Sequence, residues 1–292
     1  MTWGRDTDEH EAAEQLKNFL DAGGSLVDTA ATYSDGGALD IIGTLLRDEV
    51  HRDDVVLSAR SGVVDGRLDA SRRALLTSLE ETLRRLGTDH LDVWLVQAPD
   101  PGTPVSEVAD TLAHAVASGK VRYVGLANHA AWQVAQVATL LERGVGLACT
   151  QTEYSLLNRT AETELMDAAQ ALGVGVVGWS PLGRGVLSAK YRHSVPADSR
   201  AASPHLRGFV EPYLTAYARS VVEALATAAD GLGRAPVEVA LAWARDAPVV
   251  SSVVVGARTP AQLRGALAAA DLDLPEEIRD ALDDITQPAG RR

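Results

Sequence analysis

Short β-branched runs alternate with longer amphipathic stretches along almost the whole chain, and this alternation limits the fold more than any other feature. The runs are Ser25–Val27, Val55–Leu57, Leu91–Val96, Val121–Leu126, Ala148–Thr152, Gly175–Trp179 and Val253–Val255. Their length and content predict strands, and Met1–Trp3 is an expected eighth. Helical patterns lie between them, over Glu9–Ala22, Ser71–Leu86, Ser106–Ser118, Trp132–Arg143, Glu162–Leu172, Tyr213–Leu232, Pro236–Ala244, Thr259–Ala270 and Pro275–Ile285. In Ser71–Leu86, Leu75, Leu76, Leu79, Leu83 and Leu86 share one face and Gly87 supplies a C-cap. Repeated strand–helix units imply a parallel sheet covered by helices, because parallel strands need a crossover connection.

Two closures of such a sheet compete, an open doubly wound sheet and an eight-stranded barrel. The Gly-rich dinucleotide fingerprint after a first strand is absent, and so is the P-loop. A length of 292 residues suits a (β/α)8 TIM barrel, which takes ~250 residues plus insertions. The expectation is therefore α/β, with a single barrel domain over residues 1–287 and a loose tail over 288–292. Ser194–Phe209 is expected to be a long irregular loop.

Composition narrows the chemistry. Asp and Glu number 40 against 27 Lys and Arg, a net charge of −13. Such a surface argues against nucleic acid or an anionic membrane as partner. Aromatic residues make up only 4%, so the core must be built from Ala, Val and Leu. The single cysteine, Cys149, excludes an intrachain disulfide framework and any Cys-rich metal centre, and no metal site is expected. No apolar run approaches the ~18–20 residues of a membrane span, and the first ten residues lack the apolar segment of a signal peptide. A cytoplasmic location is the expectation.

In barrels of this class, chemistry collects at the C-terminal ends of the strands. Going round that rim, the chain offers Asp28 and Tyr33, then Arg60, Gln97, Asn128 with His129, and Gln151 with Glu153. The segments Ser180-Pro181-Leu182-Gly183-Arg184-Gly185 and Gly256-Ala257-Arg258-Thr259 complete it. Turn and cap duties explain Asp100, Gly183 and Thr259. They explain a Tyr, an Arg, a Gln and an Asn at successive strand ends less well.

These residues sit in recognisable stretches. They include Val27-Asp28-Thr29-Ala30, Leu83-Arg84-Arg85-Leu86-Gly87-Thr88-Asp89 and Gly119-Lys120-Val121-Arg122-Tyr123-Val124-Gly125. Tyr154-Ser155-Leu156-Leu157-Asn158-Arg159, Trp179-Ser180-Pro181-Leu182-Gly183-Arg184-Gly185-Val186-Leu187, Lys190-Tyr191 and Val255-Gly256-Ala257-Arg258-Thr259-Pro260 follow in order. Over nearly its whole length the chain resembles the aldo-keto reductase superfamily, in particular the bacterial branch related to potassium-channel β subunits. The resemblance implies hydride transfer from NADP(H) to a small aldehyde or ketone. It also implies a catalytic tetrad of Asp, Tyr, Lys and His.

The chain departs from that tetrad twice. Asp28 and Tyr33 match, but Arg60 stands at the lysine position and Gln97 at the histidine position. Arg60 keeps the positive charge that would make the Tyr33 proton transferable, yet a planar guanidinium does not replace a point-charge amine conservatively. Gln97 can donate an N–H but cannot titrate near neutrality. His129 is a candidate substitute acid. The resemblance implies cofactor contacts from Asn128, Gln151, Trp179, Ser180, Leu182, Gly183, Gly185, Gly256, Arg258, Thr259 and Gln262. Arg258 beside a helix N-terminus suits a 2′-phosphate and so NADP rather than NAD. The family's adenine-contacting Asn is Ala266 here. The altered tetrad keeps a second reading open, a catalytically impaired NADP(H)-binding sensor or partner protein. A non-redox lyase is a third, disfavoured by Asn128, Gln151 and Arg258. Relatives begin with a β-hairpin that plugs the barrel, and here Met1-Thr2-Trp3-Gly4 already matches the end of strand one, so the hairpin is expected to be missing unless the true start lies upstream. The substrate pocket and the oligomeric state are not legible.

Overall fold

The computed structural model describes residues 1–141, 144–197 and 199–287. The chain begins with helix α1 (Glu9–Asp21), whose Asp8 carboxylate accepts from the Glu11 N–H at 2.9 Å and so caps the helix. Strand β1 (Leu26–Ala30), a 3-10 turn (Tyr33–Gly36) and helix α2 (Gly37–Asp48) follow. Strand β2 (Val56–Ser61) leads into a small antiparallel hairpin of β3 (Val63–Val64) and β4 (Arg67–Leu68). Helix α3 (Arg72–Leu86) buries Leu75, Leu79, Leu83 and Leu86, and each buried leucine contributes ~1.5–3 kcal/mol. It ends as its sequence predicts, on a left-handed Gly87.

Strand β5 (Leu91–Val96), helix α4 (Val105–Ala117), strand β6 (Val121–Ala127), helix α5 (Ala131–Leu141) and strand β7 (Leu147–Glu153) continue the alternation. Helix α6 (Leu165–Leu172) and strand β8 (Gly175–Trp179) come next, followed by α7 (Arg207–Val210), α8 (Ala216–Leu232) and α9 (Pro236–Arg245). Strand β9 (Val250–Val254), α10 (Pro260–Leu267) and α11 (Glu276–Thr286) close the described chain.

Among the described residues, seven of the nine strands form one sheet in the order β1-β2-β5-β6-β7-β8-β9. The pairs from β1 to β7 are parallel. The register fixes which side chains share a face. Asp28 lies opposite Ser58, and Ala30 opposite Arg60. Arg60 is then level with Leu95, Leu95 with Gly125, and Gly125 with Cys149, while Ala127 is level with Gln151. Alternation along each strand therefore puts Asp28, Ser58, Arg60, Cys149 and Gln151 on one side of the sheet. Gly125 is needed there, since a Cβ would come within 2.7 Å of the Cys149 carbonyl and 3.1 Å of Leu95 Cδ2.

The chain divides into two compact units. The first holds Met1–Gln151, Asp167–Val176 and Gly256–Leu263, and the second Thr152–Met166, Val177–Val255 and Arg264–Arg292. In the first, the buried side chains are dominated by Leu, Val and Ala around Trp94. In the second, Tyr154 stacks on Trp243 at 5.2 Å, and the Tyr154 hydroxyl donates to Glu162 at 2.9 Å.

Four expectations change. Met1–Trp3 is not a strand, and its one pairing is an isolated bridge from Trp3 to Thr7. Asp28 and Arg60 lie inside β1 and β2 rather than after them. Helix α2 was not expected. The stretch from Ser194 to Phe209 is not wholly irregular, because α7 begins at Arg207. The tail over 288–292, like Arg143, lies outside the described residues.

Candidate active site

Three of the four tetrad positions, together with Gln151, form one hydrogen-bonded cluster. Asp28 Oδ1 accepts from Ser58 Oγ at 3.1 Å and from Gln151 Nε2 at 3.0 Å. Asp28 Oδ2 lies 3.3 Å from Arg60 Nη2. Arg60 Nη1 donates to Gln151 Oε1, and Arg60 Nη2 donates to the phenol oxygen of Tyr33. The guanidinium carbon also stands 5.1 Å from the centre of the Tyr33 ring. Arg60 is buried, and its Nε has no hydrogen-bond partner. Burial opposes its charge, but Asp28 and Tyr33 outweigh that and hold it protonated.

This cluster sets the Gln151 amide by chemistry. Arg60 can only donate and ionised Asp28 can only accept, so Oε1 must face Arg60 and Nε2 must face Asp28. One amide N–H and one lone pair of Gln151 remain for a ligand. Tyr33 starts a turn in which Ser34, Asp35 and Gly36 all have positive φ, which is how the chain leaves β1 and still keeps Tyr33 beside Arg60.

Gln97 joins through its backbone. Its N–H donates to the Ser61 carbonyl at 2.8 Å, and its carbonyl accepts from Asn128 Nδ2 at 2.9 Å. Asn128 N–H donates to the Gln151 carbonyl at 2.8 Å, so Asn128 ties together the ends of β5, β6 and β7. It holds a φ of 59°, which Asn tolerates better than most residues, and it is exposed. His129 is buried, with Nδ1 2.8 Å from the Ala127 carbonyl. That contact places the ring proton on Nδ1, and burial pushes the imidazole below its ordinary value. His129 is thus neutral at working pH and accepts a proton poorly, which weakens its case as a substitute acid.

Also in the first unit, the Arg258 carbonyl accepts from Thr7 Oγ1 and Gln15 Nε2, both at 3.1 Å. The Arg258 N–H donates to Gln262 Oε1 at 3.0 Å, and the Gln262 N–H to Thr259 Oγ1 at 3.3 Å. Thr259 and Gln262 therefore cap α10 from one side. Both are exposed, as is Gly256.

In the second unit, Trp179 ends β8 and a tight loop follows. Ser180, Gly183, Arg184 and Gly185 have φ of 54°, 53°, 59° and 99°. A Cβ on Gly183 would come within 2.8 Å of Leu157 Cδ1. Leu182 packs on a cluster of Leu241, Ala266 and Ala269. Ala266 is thus a core residue, with no polar atom to offer an adenine. The sequence reading missed Arg184 as the residue that holds this loop. Its guanidinium forks onto both Glu153 oxygens at 2.8 and 2.7 Å and donates to the Phe209 carbonyl at 2.8 Å. It stacks on Phe209 and Tyr213 at 4.3 and 4.9 Å and lies 5.9 Å from the Trp179 ring centre. The signal was the Arg between two glycines, with Glu153 at a strand end.

Chemically, the first unit presents a phenol against a permanent cation, with amides beside it. Residues 1–287 match the model of the Aldo/keto reductase family. The chain is 34% identical to the uncharacterized oxidoreductase YrpG of Bacillus subtilis (strain 168), over 98% of this chain and 90% of that protein. It is 32% identical to a probable voltage-gated potassium channel subunit beta of Oryza sativa subsp. japonica, over 100% and 92%. It is 33% identical to the L-glyceraldehyde 3-phosphate reductase of Escherichia coli (strain K12), over 85% and 75%. Among the described residues, no helix is long and apolar enough to cross a membrane. The chain belongs to the aldo/keto reductase family of oxidoreductases, with the α/β fold class of the (β/α)8 barrel.

Proposed function

We propose that the protein reduces a small aldehyde or ketone with a hydride from NADPH, and that Tyr33 supplies the proton. The observation that carries this is the hydrogen bond from Arg60 to the Tyr33 oxygen. Free phenol holds its proton to a pH near ~10, and an adjacent cation stabilises the phenolate that remains after transfer. Asp28, fixed by Ser58 and Gln151, orients the guanidinium. Gln97 and Asn128 line the same rim, and Gln97 replaces an imidazole with a donor that does not titrate.

The residues fit a nicotinamide dinucleotide. The tight loop through Gly183, Arg184 and Gly185, all at positive φ, carries two glycines that put no side chain in the way of an approaching pyrophosphate, and a Cβ on Gly185 would lie 3.4 Å from Lys190 Nζ. When bound, the cofactor supplies the hydride. Asn128 and the spare valences of Gln151 would hold the carboxamide, and Trp179 would stack on the ring. Ser180, Leu182, Gly183 and Gly185 would cover the pyrophosphate. Gly256, Arg258, Thr259 and Gln262 would take the adenosine end, Arg258 favouring a 2′-phosphate and hence NADP.

This reading treats residues 1–287 as one domain, in line with the unbroken family match. It places the protein in the cytoplasm, where its lone Cys149 stays a thiol. The test follows quenching of the five tryptophans by NADPH, then NADPH consumption with a panel of aldehydes and ketones. Saturable binding with turnover supports the proposal. Tight binding without turnover on any carbonyl replaces it with a sensor or partner role.

A further inference from the structure

Among the described residues, α5 is the one α-helix with no Asp, Glu, Lys or Arg. The chain as a whole has a net charge of −13. Val134, Val137, Ala138 and Leu141 form the buried face of this helix. Trp132, Gln136, Thr139 and Leu140 are exposed, Trp132 at 64% and Leu140 at 47%. Their spacing of i, i+4, i+7 and i+8 puts all four on one stripe. An exposed Trp and Leu on one uncharged stripe mark a contact surface rather than a solvated face.

We propose that this stripe binds a second copy of the chain, which presents the same stripe about a two-fold axis at Gln136. Trp132 and Leu140 lie four residues before and after Gln136, about 6 Å along the helix on either side. A half-turn about Gln136 therefore lays the Trp132 of each copy on the Leu140 of the other, as a self-complementary interface requires. The three side chains form one i±4 ridge, and such ridges interdigitate when two helices cross at about −50°. At the axis the two Gln136 amides meet. A primary amide pairs with its own two-fold image, each N–H donating to the other's C=O. Among the described residues the Gln136 amide makes no hydrogen bond. The other polar side chains of α5 are committed within the helix and its cap: Gln133 Oε1 accepts from the Ala130 N–H at 2.9 Å, and Thr139 Oγ1 donates to the Ala135 carbonyl at 2.8 Å. Charge selects the occupant. Two acidic copies repel, and they meet best where neither brings a carboxylate to the contact. A basic partner would find no ion pair on α5. Helix α4 packs beside α5 and exposes Asp110 and His114, which would belong to the polar rim of the contact. Faces built on an 11-residue helix give an interface at the small end, below about 1,200 Å² in total, so association is expected in the micromolar range.

The test is sedimentation of the full chain over a concentration series from about 1 µM to about 200 µM, for the parent, Trp132→Ala, Gln136→Glu and Gln136→Lys. Position 136 is exposed and mid-helix, and Glu and Lys are both good helix formers, so the variants keep the fold; far-ultraviolet circular dichroism checks this. The parent is expected to pass from monomer to dimer across the series. Trp132→Ala weakens association about tenfold or more, because it removes the largest apolar contact. Gln136→Glu and Gln136→Lys each set two like charges against one another on the axis and weaken association by about 10²-fold. An equal mixture of the two charged variants regains the dimer, Glu facing Lys, which only a contact of residue 136 with itself can produce. A parent that stays monomeric throughout overturns the proposal and leaves the stripe to a different occupant. A dimer that survives both charges, or charged variants that do not re-associate when mixed, places the contact elsewhere and overturns it too. Because no turnover is measured, each of these outcomes leaves the carbonyl-reductase reading where it stands.

Discussion

Asp28 Oδ2 and Arg60 Nη2 lie 3.3 Å apart on side chains that are 4% and 5% exposed. A buried pair of this kind contributes little net stability as a pair, because desolvation opposes the attraction, yet removing one partner strands the other charge. Asp28→Asn alone is expected to cost about 3–5 kcal/mol. Adding Arg60→Gln restores a large part of it, with a coupling of ~0.5–3 kcal/mol. Urea denaturation of the four proteins of this cycle measures both quantities. Strictly additive losses would mean that the two side chains do not act on each other.

Arg184 organises a loop through contacts 25 and 31 residues away in sequence. Arg184→Lys keeps the charge but cannot make the two-pronged contact with Glu153 or stack flat on Phe209 and Tyr213. The variant is expected to lose about 1–3 kcal/mol of stability and to bind NADPH more weakly. Thermal melts and tryptophan quenching check this. Unchanged cofactor affinity in a destabilised variant would confine Arg184 to a structural role.

His129 gives a pH signature. Burial holds its folded pKa below the ordinary imidazole value. Below that ordinary value the unfolded chain takes up a proton that the folded chain refuses, so stability falls as pH falls through this window. The loss levels off once the folded imidazole also protonates. His129→Gln is expected to flatten the fall in denaturation midpoint between about pH 7 and about pH 5. An equal slope in parent and variant would assign the acid sensitivity to other groups.

The strand–helix rhythm and the rim residues were legible because periodicity and strand ends are local properties. Helix α2 was not, since Gly36, Gly37 and Gly43 read as loop, although Ala38, Leu39, Ile41, Ile42 and Leu45 are all buried. The tetrad positions could be read one by one. That Gln151 bridges Asp28 and Arg60 could not, because it lies 123 and 91 residues from them. The same holds for Arg184 and Glu153. Met1–Trp3 has strand-like composition, but among the described residues it finds only the Trp3–Thr7 bridge.

Arg258→Ala separates the two cofactors. A charge-assisted phosphate contact contributes ~1.5–3 kcal/mol, roughly tenfold or more in affinity. NADPH is therefore expected to weaken by at least that factor while NADH changes little. Equal weakening of both would remove the 2′-phosphate from Arg258.

The most direct measurement is turnover by Tyr33→Phe, with NADPH binding titrated in the same preparation. The substitution deletes one oxygen and leaves Arg60 paired with Asp28. The account requires carbonyl reduction to fall by about 10²–10⁴-fold with NADPH affinity unchanged. Reduction at the parent rate, with the cofactor still bound, would contradict it.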